Sequence, residues 1–238
     1  MTPNSTTPRK VLITGANRGI GLHLANHFLD QGWEVAGCGR SAAAIEHERY
    51  VHHQADVSNE QHVADLATAL RAEWGMVDAV INNAGVARMV PVALTPASTA
   101  QKIMDVNFMG TFLVSNALLR LLRKSKSGRI VNLTTVAVPL RLEGEAIYAA
   151  SKSAVETFTR VLAKEISSFG ITCNAIGPTP IRTDLIKNVP NDKLNALVQR
   201  QAIKSWATCE DVANVVDFFL RPESSMISGQ VLYLGGLG

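Results

Sequence analysis

Tyr148 and Lys152 lie four residues apart in a stretch that the sequence predicts to be helical, so both side chains share one face. A lysine ammonium beside a phenol favours the phenolate and lowers the phenol pKa from its usual value of about 10. Such a group exchanges a proton near neutral pH, which suits Tyr148 to general acid or base catalysis. The pair by itself is a weak signal, because the same spacing arises by chance, and its weight depends on other motifs.

A glycine-rich segment, Thr14-Gly15-Ala16-Asn17-Arg18-Gly19-Ile20-Gly21, stands between a short apolar run and an amphipathic one. Glycines at a strand-to-helix turn allow a tight bend, and the helix that follows offers free N–H groups to a pyrophosphate. The spacing differs from the common G-x-G-x-x-G pattern, so it is moderate evidence. It predicts a dinucleotide site, with a purely structural turn as the alternative.

The end of the second predicted strand reads Cys38-Gly39-Arg40-Ser41 and lacks the carboxylate that usually binds the adenosine ribose. Arg40 and Arg18 both suit a 2′-phosphate, because guanidinium groups bind phosphate oxygens in pairs. The sequence therefore predicts NADP(H) rather than NAD(H). Solvated surface arginines are the alternative interpretation.

Taken together, these motifs resemble the short-chain dehydrogenase/reductase family, in its short, single-domain branch. The resemblance covers nearly the whole chain, and it includes the glycine turn, Asp56-Val57, Asn82-Asn83-Ala84-Gly85, Asn107, Tyr148 with Lys152, and Asn174-Ala175-Ile176-Gly177-Pro178. Within the family, the chain is similar to the 3-oxoacyl-carrier-protein reductases.

The resemblance implies a catalytic group and a cofactor-binding group. In the first, Tyr148 passes a proton to or from the substrate oxygen, Lys152 also binds the nicotinamide ribose, and Asn107 holds a water in a proton relay. The resemblance also implies that Asp56 and Val57 contact the adenine. The implied cofactor-binding set is Gly15, Asn17, Arg18, Gly19, Ile20, Gly21, Arg40, Asp56, Val57, Asn83, Ala84, Gly85, Tyr148, Lys152, Pro178, Ile181 and Thr183. As alternatives, Asn107 satisfies backbone groups inside a helix and Asp56 caps the helix that follows it.

Thr135 stands thirteen residues before Tyr148, where the family normally has a serine. Threonine keeps the hydroxyl that can donate to a substrate carbonyl, but its added methyl restricts the side-chain rotamer. We expect activity to be retained, with a smaller pocket or a lower rate. Pro178-Thr179 replaces the family's Pro-Gly, and Leu234 stands where an acidic residue commonly precedes the two glycines.

Strand-like runs alternate with helical runs along the chain, which predicts βαβ units and an α/β fold. We expect one doubly wound Rossmann-type domain over 10–238, with a parallel sheet of about seven strands and helices on both faces. Residues 1–9 would form a flexible leader and 182–207 a substrate lid. The loop 136–147, which carries Arg141, Glu143 and Glu145, would form the other wall.

Three helices are predicted with explicit limits. A short alanine-rich helix is expected over Ser41–Glu48, a long helix over about Pro96–Lys124, and another over Ala146–Ser168. The two long helices are apolar around more of their circumference than coverage of one sheet face requires, which favours a homo-oligomer, a tetramer or a dimer.

Composition excludes several classes of protein. The 238 residues are 47% hydrophobic and 18% charged, with a net charge of +3, so neither disorder nor a nucleic-acid binder is indicated. The three cysteines are far apart, which predicts no disulfide framework and no metal site. With no apolar run long enough to span a bilayer and no signal peptide, a cytoplasmic location is expected.

The predicted function is NADPH-dependent reduction of a ketone, such as a 3-oxoacyl thioester, to a secondary alcohol, with Tyr148 as the proton donor. The first alternative is an NAD(P)-dependent secondary-alcohol or sugar dehydrogenase. The second is a nucleotide-binding module with impaired catalysis. Besides the small-molecule substrate, an acyl carrier protein is a candidate partner, for which the resemblance indicates the basic run Arg120, Arg123, Lys124, Lys126 and Arg129. A solvated helix end is the favoured interpretation of that run, and carrier docking is the alternative.

Overall fold

A computed structural model of the chain describes residues 7–187 and 189–236. This part of the chain forms one parallel sheet of seven strands in the order β3-β2-β1-β4-β5-β6-β7. The strands are β1 (Lys10–Thr14), β2 (Glu34–Gly39), β3 (Tyr50–Gln54), β4 (Ala79–Asn82), β5 (Arg129–Leu133), β6 (Thr172–Gly177) and β7 (Val231–Tyr233). The predicted leader lies outside the described residues at positions 1–6, as do the last two residues of the chain.

Eight α-helices are described in the same ranges, and they cover both faces of the sheet. They are α1 (Gly19–Asp30), α2 (Glu60–Glu73), α3 (Ala97–Met104), α4 (Gly110–Leu122), α5 (Ala137–Leu140), α6 (Ala146–Ile166), α7 (Asn191–Gln199) and α8 (Cys209–Leu220). A π-helical segment, Asp105–Met109, joins α3 to α4. None of the described helices is both long and apolar enough to cross a membrane.

The core consists of two apolar layers because neighbouring side chains of a strand point to opposite faces of the sheet. In β1, Val11 and Ile13 pack on the face covered by α1 and α8, while Leu12 between them packs on the other face, under α2, α4 and α6. Burial on both faces explains why the middle of β1, Val11 to Ile13, and most of β4, Ala79 to Ile81, are continuously apolar in sequence.

The strand order reverses direction between β1 and β4, since β2 and β3 extend the sheet to one side of β1 and the later strands extend it to the other. The segments that follow the carboxyl ends of β1 and β4 therefore run in different directions and leave a crevice between them. Open α/β sheets bind their ligands in such a crevice. The glycine turn leaves β1 at this point and Asn83 follows β4. The predicted fold class is confirmed.

The predicted helix over Ser41–Glu48 is wrong, because the chain crosses from β2 to β3 there as an irregular loop. Every residue of that segment except Ile45 is exposed, so a helix would bury no apolar face. The side chain of Asn17 also binds the backbone carbonyls of Ser41 and Ala42, at 2.8 and 2.7 Å. The predicted long helix over 96–124 does form, but the π segment interrupts it.

Candidate active site

The glycine turn has the backbone that its sequence predicts. Gly15 and Gly19 have φ values of +69° and +55°, a region that residues with a side chain rarely adopt. A Cβ on Gly21 would lie 2.2 Å from the carbonyl oxygen of Gly15, so only glycine fits there. No side chain caps α1, because Arg18 at the N-cap makes no capping hydrogen bond. The first N–H groups of α1 remain available to an anion.

Thr14 and Asn83 hold the turn to the end of β4. The Thr14 hydroxyl accepts hydrogen bonds from the backbone N–H groups of Asn83 and Ala84, both at 3.0 Å. The Asn83 amide donates to the carbonyls of Thr14 and Gly15, at 2.8 and 3.2 Å. Asn83 thus fixes the crevice through its backbone partners. Thr14 was not predicted as a site residue, although its place at the end of β1 beside the glycines is the signal that could have indicated it.

The far end of the crevice carries the two predicted arginines, Arg18 and Arg40, both exposed. Burial would raise the pKa of Asp56, but hydrogen bonds from Ser58 and the charges of Arg40 and His62 hold that pKa below its ordinary value. Asp56 accepts from Ser58 Oγ at 2.7 Å and does not cap α2, whose N-cap is Asn59.

Val57, for which the resemblance implies an adenine contact, has its side chain in the core. The side chain is 6% exposed, and a Cβ on Gly110 would lie 2.7 Å from Val57 Cγ2. Its side chain is therefore part of the core between the sheet and α4. Only the backbone of Val57 remains for the crevice.

One cavity of about 890 Å³ runs from the glycine turn to the predicted lid. It brings together nine of the predicted residues: Ile20, Asn83, Gly85, Thr135, Tyr148, Lys152, Pro178, Ile181 and Thr183. The methyl group of Thr183 would lie 3.5 Å from a Cβ on Gly19, so the loop after β6 closes against the glycine turn. The rest of the cavity wall comes from residues within 87–90, 133–145, 179–180, 185–186 and 189–200.

Tyr148 is buried in this cavity near the end of β5. Burial raises the pKa of Tyr148 to about 12, a hydrogen bond with the Thr135 hydroxyl partly offsets that rise, and the Glu145 carboxylate adds to it. The predicted lowering of the phenol pKa by Lys152 is therefore wrong for the chain by itself. The phenol is protonated at neutral pH, which makes it a proton donor.

Thr135 stands against the phenol as the family's serine would. Its hydroxyl also accepts a hydrogen bond from the backbone N–H of Ala137 at 3.2 Å, and the residue is 9% exposed. Its single proton is directed at the phenol oxygen of Tyr148, and the hydroxyl can turn it to a substrate oxygen bound beside the phenol. The side chain can thus polarise a carbonyl oxygen that approaches Tyr148.

Lys152 lies one turn after Tyr148 on α6 and is 4% exposed. Its ammonium donates to the backbone carbonyl of Leu133 at 2.7 Å, and burial lowers the pKa of Lys152 to about 8. A Cβ on Gly85 would lie 3.4 Å from Lys152 Nζ and 3.3 Å from Asn107 Oδ1. The glycine at position 85 therefore keeps open the space in front of the ammonium.

Asn107 lies in the π segment and is completely buried. Its Oδ1 accepts from the N–H of Val86 at 2.8 Å, and its Nδ2 donates to the carbonyl of Val86 at 2.9 Å and to Ser151 Oγ at 3.0 Å. The side-chain amide therefore fixes the segment after β4 against α6. These contacts agree with the alternative interpretation, in which the Asn107 side chain satisfies backbone groups.

A buried carboxylate behind the site was not predicted. Glu156 lies one turn beyond Lys152 and is 4% exposed. Its Oε1 accepts hydrogen bonds from Thr134 Oγ1 at 2.7 Å and from the Tyr233 hydroxyl at 2.6 Å, and Arg160 Nη2 lies 3.7 Å from its Oε2. Glu156 thus joins the end of β5, next to Thr135, to β7. Its helical spacing from Tyr148 and Lys152 was the available signal.

The basic run proposed for carrier docking is only partly available. Arg129 is 2% exposed, and its guanidinium donates to the carbonyls of Gly128 and Arg221, at 3.0 and 3.4 Å. Arg129 is therefore a core residue at the amino end of β5, the opposite end of that strand from Thr135. Lys124 donates to the carbonyl of Gly75, and Arg123 stacks on Phe169.

Comparison with known proteins identifies the family. A family model described as enoyl-(acyl carrier protein) reductase matches residues 15–236. The chain is a short-chain dehydrogenase/reductase. It is 33% identical to a 3-oxoacyl-[acyl-carrier-protein] reductase of Synechocystis, over 97% of this chain and 96% of that protein.

Two solved structures carry the same resemblance. The ligand-free aldohexose dehydrogenase of Thermoplasma acidophilum is 26% identical with a TM-score of 0.88, covering 97% of this chain and 94% of its own. A 4-hydroxyisoleucine dehydrogenase complexed with NADH is 27% identical with a TM-score of 0.86, covering 96% of this chain and 98% of its own. The predicted family and its fold are confirmed.

Proposed function

We propose that this short-chain dehydrogenase/reductase reduces a ketone to a secondary alcohol with NADPH, and that a 3-oxoacyl thioester is the leading substrate candidate. One observation carries the proposal: the Thr135 hydroxyl, the protonated phenol of Tyr148 and Lys152 line the same cavity as Ile20 of the glycine turn. A proton donor and a dinucleotide site in one cavity are what carbonyl reduction requires. The relatives' chemistry, on oxoacyl groups and sugars, supports it.

The crevice fits a nicotinamide dinucleotide. The uncapped start of α1 suits a pyrophosphate, and Gly15 and Gly21 allow the close packing of the turn that places this helix start in the crevice. Lys152 suits the nicotinamide ribose, and Pro178, Ile181 and Thr183 suit the carboxamide, because they line the cavity across from the turn. When bound, the reduced nicotinamide supplies the hydride, so that C=O becomes CH–OH as the cofactor is oxidised.

Side chains of this protein then bind and protonate the carbonyl oxygen of the substrate. Thr135 Oγ1 donates a hydrogen bond to the carbonyl oxygen, and Tyr148, with its pKa near 12, transfers its proton to that oxygen. The ammonium of Lys152 stabilises the phenolate that remains. Asn107 acts as a positioning residue through Val86 and Ser151.

The preference for NADPH over NADH rests on Arg18 and Arg40, the exposed cations at the far end of the crevice. A titration of both nucleotides by fluorescence tests it. We expect NADPH to bind at least about tenfold more tightly than NADH, and the R18A/R40A variant to lose that difference. Equal binding by the unaltered protein would overturn the preference.

Reduction itself is tested by following NADPH oxidation with acetoacetyl-pantetheine and with crotonyl-pantetheine, the matched enoyl thioester. We expect turnover of the oxo compound alone, because Thr135 and Tyr148 are arranged to polarise and protonate an oxygen. Turnover of the enoyl compound alone would contradict the proposal. The reverse reaction, alcohol oxidation, is the second direction to assay with the same pair of nucleotides.

The homo-oligomer, the cytoplasmic location and the substrate lid are also proposals. Met109 and Phe112 of the π segment and α4, together with Val161 of α6, are 38, 37 and 49% exposed, which supports a homo-oligomer formed through this face. A cytoplasmic location remains a prediction from the sequence, as does the assignment of 182–207 as a lid.

A further inference from the structure

Four cations gather where the cavity opens to solvent. We call this opening the mouth, and it is formed by the segments 88–90, 140–144 and 193–200. Contacts between these segments bring them together: the N–H of Val90 donates to the carbonyl of Gly144 at 2.7 Å, Lys193 Nζ lies 3.9 Å from Met89 Sδ, and Arg200 Nη2 donates to the carbonyl of Leu140 at 3.3 Å. The cations of the mouth are Arg88, Arg141, Lys193 and Arg200.

In the described part of the chain, these charges have no protein partner of opposite sign at ion-pair distance. Within 7–187 and 189–236, none of the four cations forms an ion pair with a carboxylate. Two carboxylates, Glu143 and Glu145, line the same cavity, and burial raises the pKa of Glu145, which favours its neutral form. The mouth is therefore a region of net positive charge above a cavity whose walls are mainly apolar.

Arg141 is held in an unfavourable backbone conformation. Its φ of +50° and ψ of +56° put it in the left-handed region, and it is the one residue other than glycine with a positive φ in the described part of the chain. Asparagine or glycine would adopt that conformation with less strain. Because strained residues collect at functional positions, this conformation makes the Arg141 side chain a candidate functional group.

We propose that the mouth binds an anionic group carried by the substrate away from its ketone, and that Arg141 is the specificity-determining residue. The inference rests on the proposed ketone reduction and adds the substrate's charge to it. The anion is a carboxylate or a phosphate, since either is bound by a guanidinium fork. A carboxylate would belong to a small oxo acid, and a phosphate to a phosphopantetheine thioester.

Two matched substrate pairs test whether the mouth prefers an anionic substrate and distinguish a carboxylate from a phosphate. The 1-ethyl monoester of 3-oxoadipate and its diethyl ester differ by one carboxylate, and acetoacetyl-4′-phosphopantetheine and acetoacetyl-pantetheine differ by one phosphate. We expect kcat/KM to favour the anionic member of at least one pair by about tenfold or more, with the difference in KM. The pair that shows the preference identifies the anionic group as the carboxylate or the phosphate. No preference in either pair would overturn the inference.

Three variants then assign the preference to Arg141. R141N removes the charge and suits the left-handed backbone, and we expect the ratio of kcat/KM for the anionic member of a pair to kcat/KM for its neutral member to fall at least about fivefold. R141K keeps a charge and should keep part of the preference. R71N removes an exposed arginine of α2, outside the cavity lining, and should change nothing. An unchanged preference in R141N would overturn the role of Arg141.

Failure of the proposed function would be seen separately. If no ketone of either pair is reduced, calorimetric titration of the NADPH-loaded protein with the monoester and the diester measures the anion site directly. Tighter binding of the monoester, lost in R141N, supports the mouth as an anion site. Equal binding of the two esters contradicts it.

Discussion

The nucleotide crevice and the mouth are the two ends of one cavity, and they are built by different means. In the crevice, the Thr14 hydroxyl and the Asn83 amide bind backbone groups, and glycines allow the turn to pack closely. In the mouth, exposed side chains such as Arg200 and Lys193 make single contacts across loops. Backbone geometry suits a ligand common to a whole family. Side chains that can change singly suit the part of the ligand that distinguishes one member from another.

Replacement of Tyr148 by phenylalanine should give the largest effect and leave both ends of the cavity intact. Loss of the proton donor is expected to lower kcat by about 10²–10⁴-fold, the usual contribution of general acid catalysis. Steady-state kinetics measure the loss, and fluorescence titration should show unchanged NADPH binding. Y50F removes a phenol on β3 as a control and should retain activity. Near-normal turnover by Y148F would contradict the proposed role.

Gly21→Ala should break the crevice and spare the mouth. The added Cβ would lie 2.2 Å from the Gly15 carbonyl oxygen, so the turn must shift, and we expect NADPH affinity to fall by about 10²-fold. Gly170→Ala is the control, because its Cβ meets no atom within 4 Å and the strain that comes from its φ of +71° falls outside the cavity lining. Equal NADPH dissociation constants for the two variants would show that the turn does not hold the nucleotide.

Glu156→Leu should disturb the catalytic end of the cavity and spare the crevice. Without the carboxylate, the hydroxyls of Thr134 and Tyr233 lose a buried acceptor, at a cost of about 1–3 kcal/mol for each group. Because Thr134 precedes Thr135, we expect a rise in the ketone KM with NADPH affinity unchanged. Glu156→Gln keeps an acceptor oxygen and should restore the KM. Equal KM values for both variants and the unaltered protein would refute a positioning role.

The pH dependence of reduction should report Lys152, which lies between the two ends. Tyr148, with a pKa near 12, stays protonated through the working range, whereas Lys152 loses its charge as pH rises through about 8. We expect kcat/KM to fall about tenfold between pH 7 and pH 9. K152R keeps its charge at these pH values and should lack this fall. The same descending limb in K152R would assign it to another group.

The smallest expected effect is on stability. The folded-state pKa of Lys152 is lowered from 10.5 to about 8, so between these pH values the unfolded chain binds more protons than the folded chain. Stability therefore rises with pH across that window, and below it burial of the ammonium opposes folding. K152M should raise the free energy of unfolding at pH 7 by about 1–3 kcal/mol, measured by urea denaturation. A lower value would show that the ammonium stabilises the fold.

Sequence patterns predicted the crevice better than the rest of the molecule. The glycines at 15, 19 and 21 have one structural use, and their place between a strand and a helix specifies it. The parallel sheet of about seven strands and the family followed from the alternation of elements and the ordered motifs. A local signal sufficed because backbone geometry depends on neighbours in the chain.

Features that depend on tertiary surroundings were not predictable in the same way. The pKa of Tyr148 depends on burial, which the four-residue spacing to Lys152 does not reveal. Glu156 meets Tyr233 across 77 positions of sequence. The segment 41–48 has helix-forming alanines, but it has no apolar surface to cover and remains a loop.

The π segment Asp105–Met109 contains Asn107 and has a consequence for how this chain tolerates changes of length. A π turn corresponds to one residue inserted into an α-helix. Deletion of one residue from 105–109 would let α3 and α4 join as a regular helix, so the fold would survive. The wide turn that carries Asn107 would be lost, and the amide now bound to Val86 and Ser151 would leave its partners. A single-codon deletion could thus silence this enzyme without unfolding it.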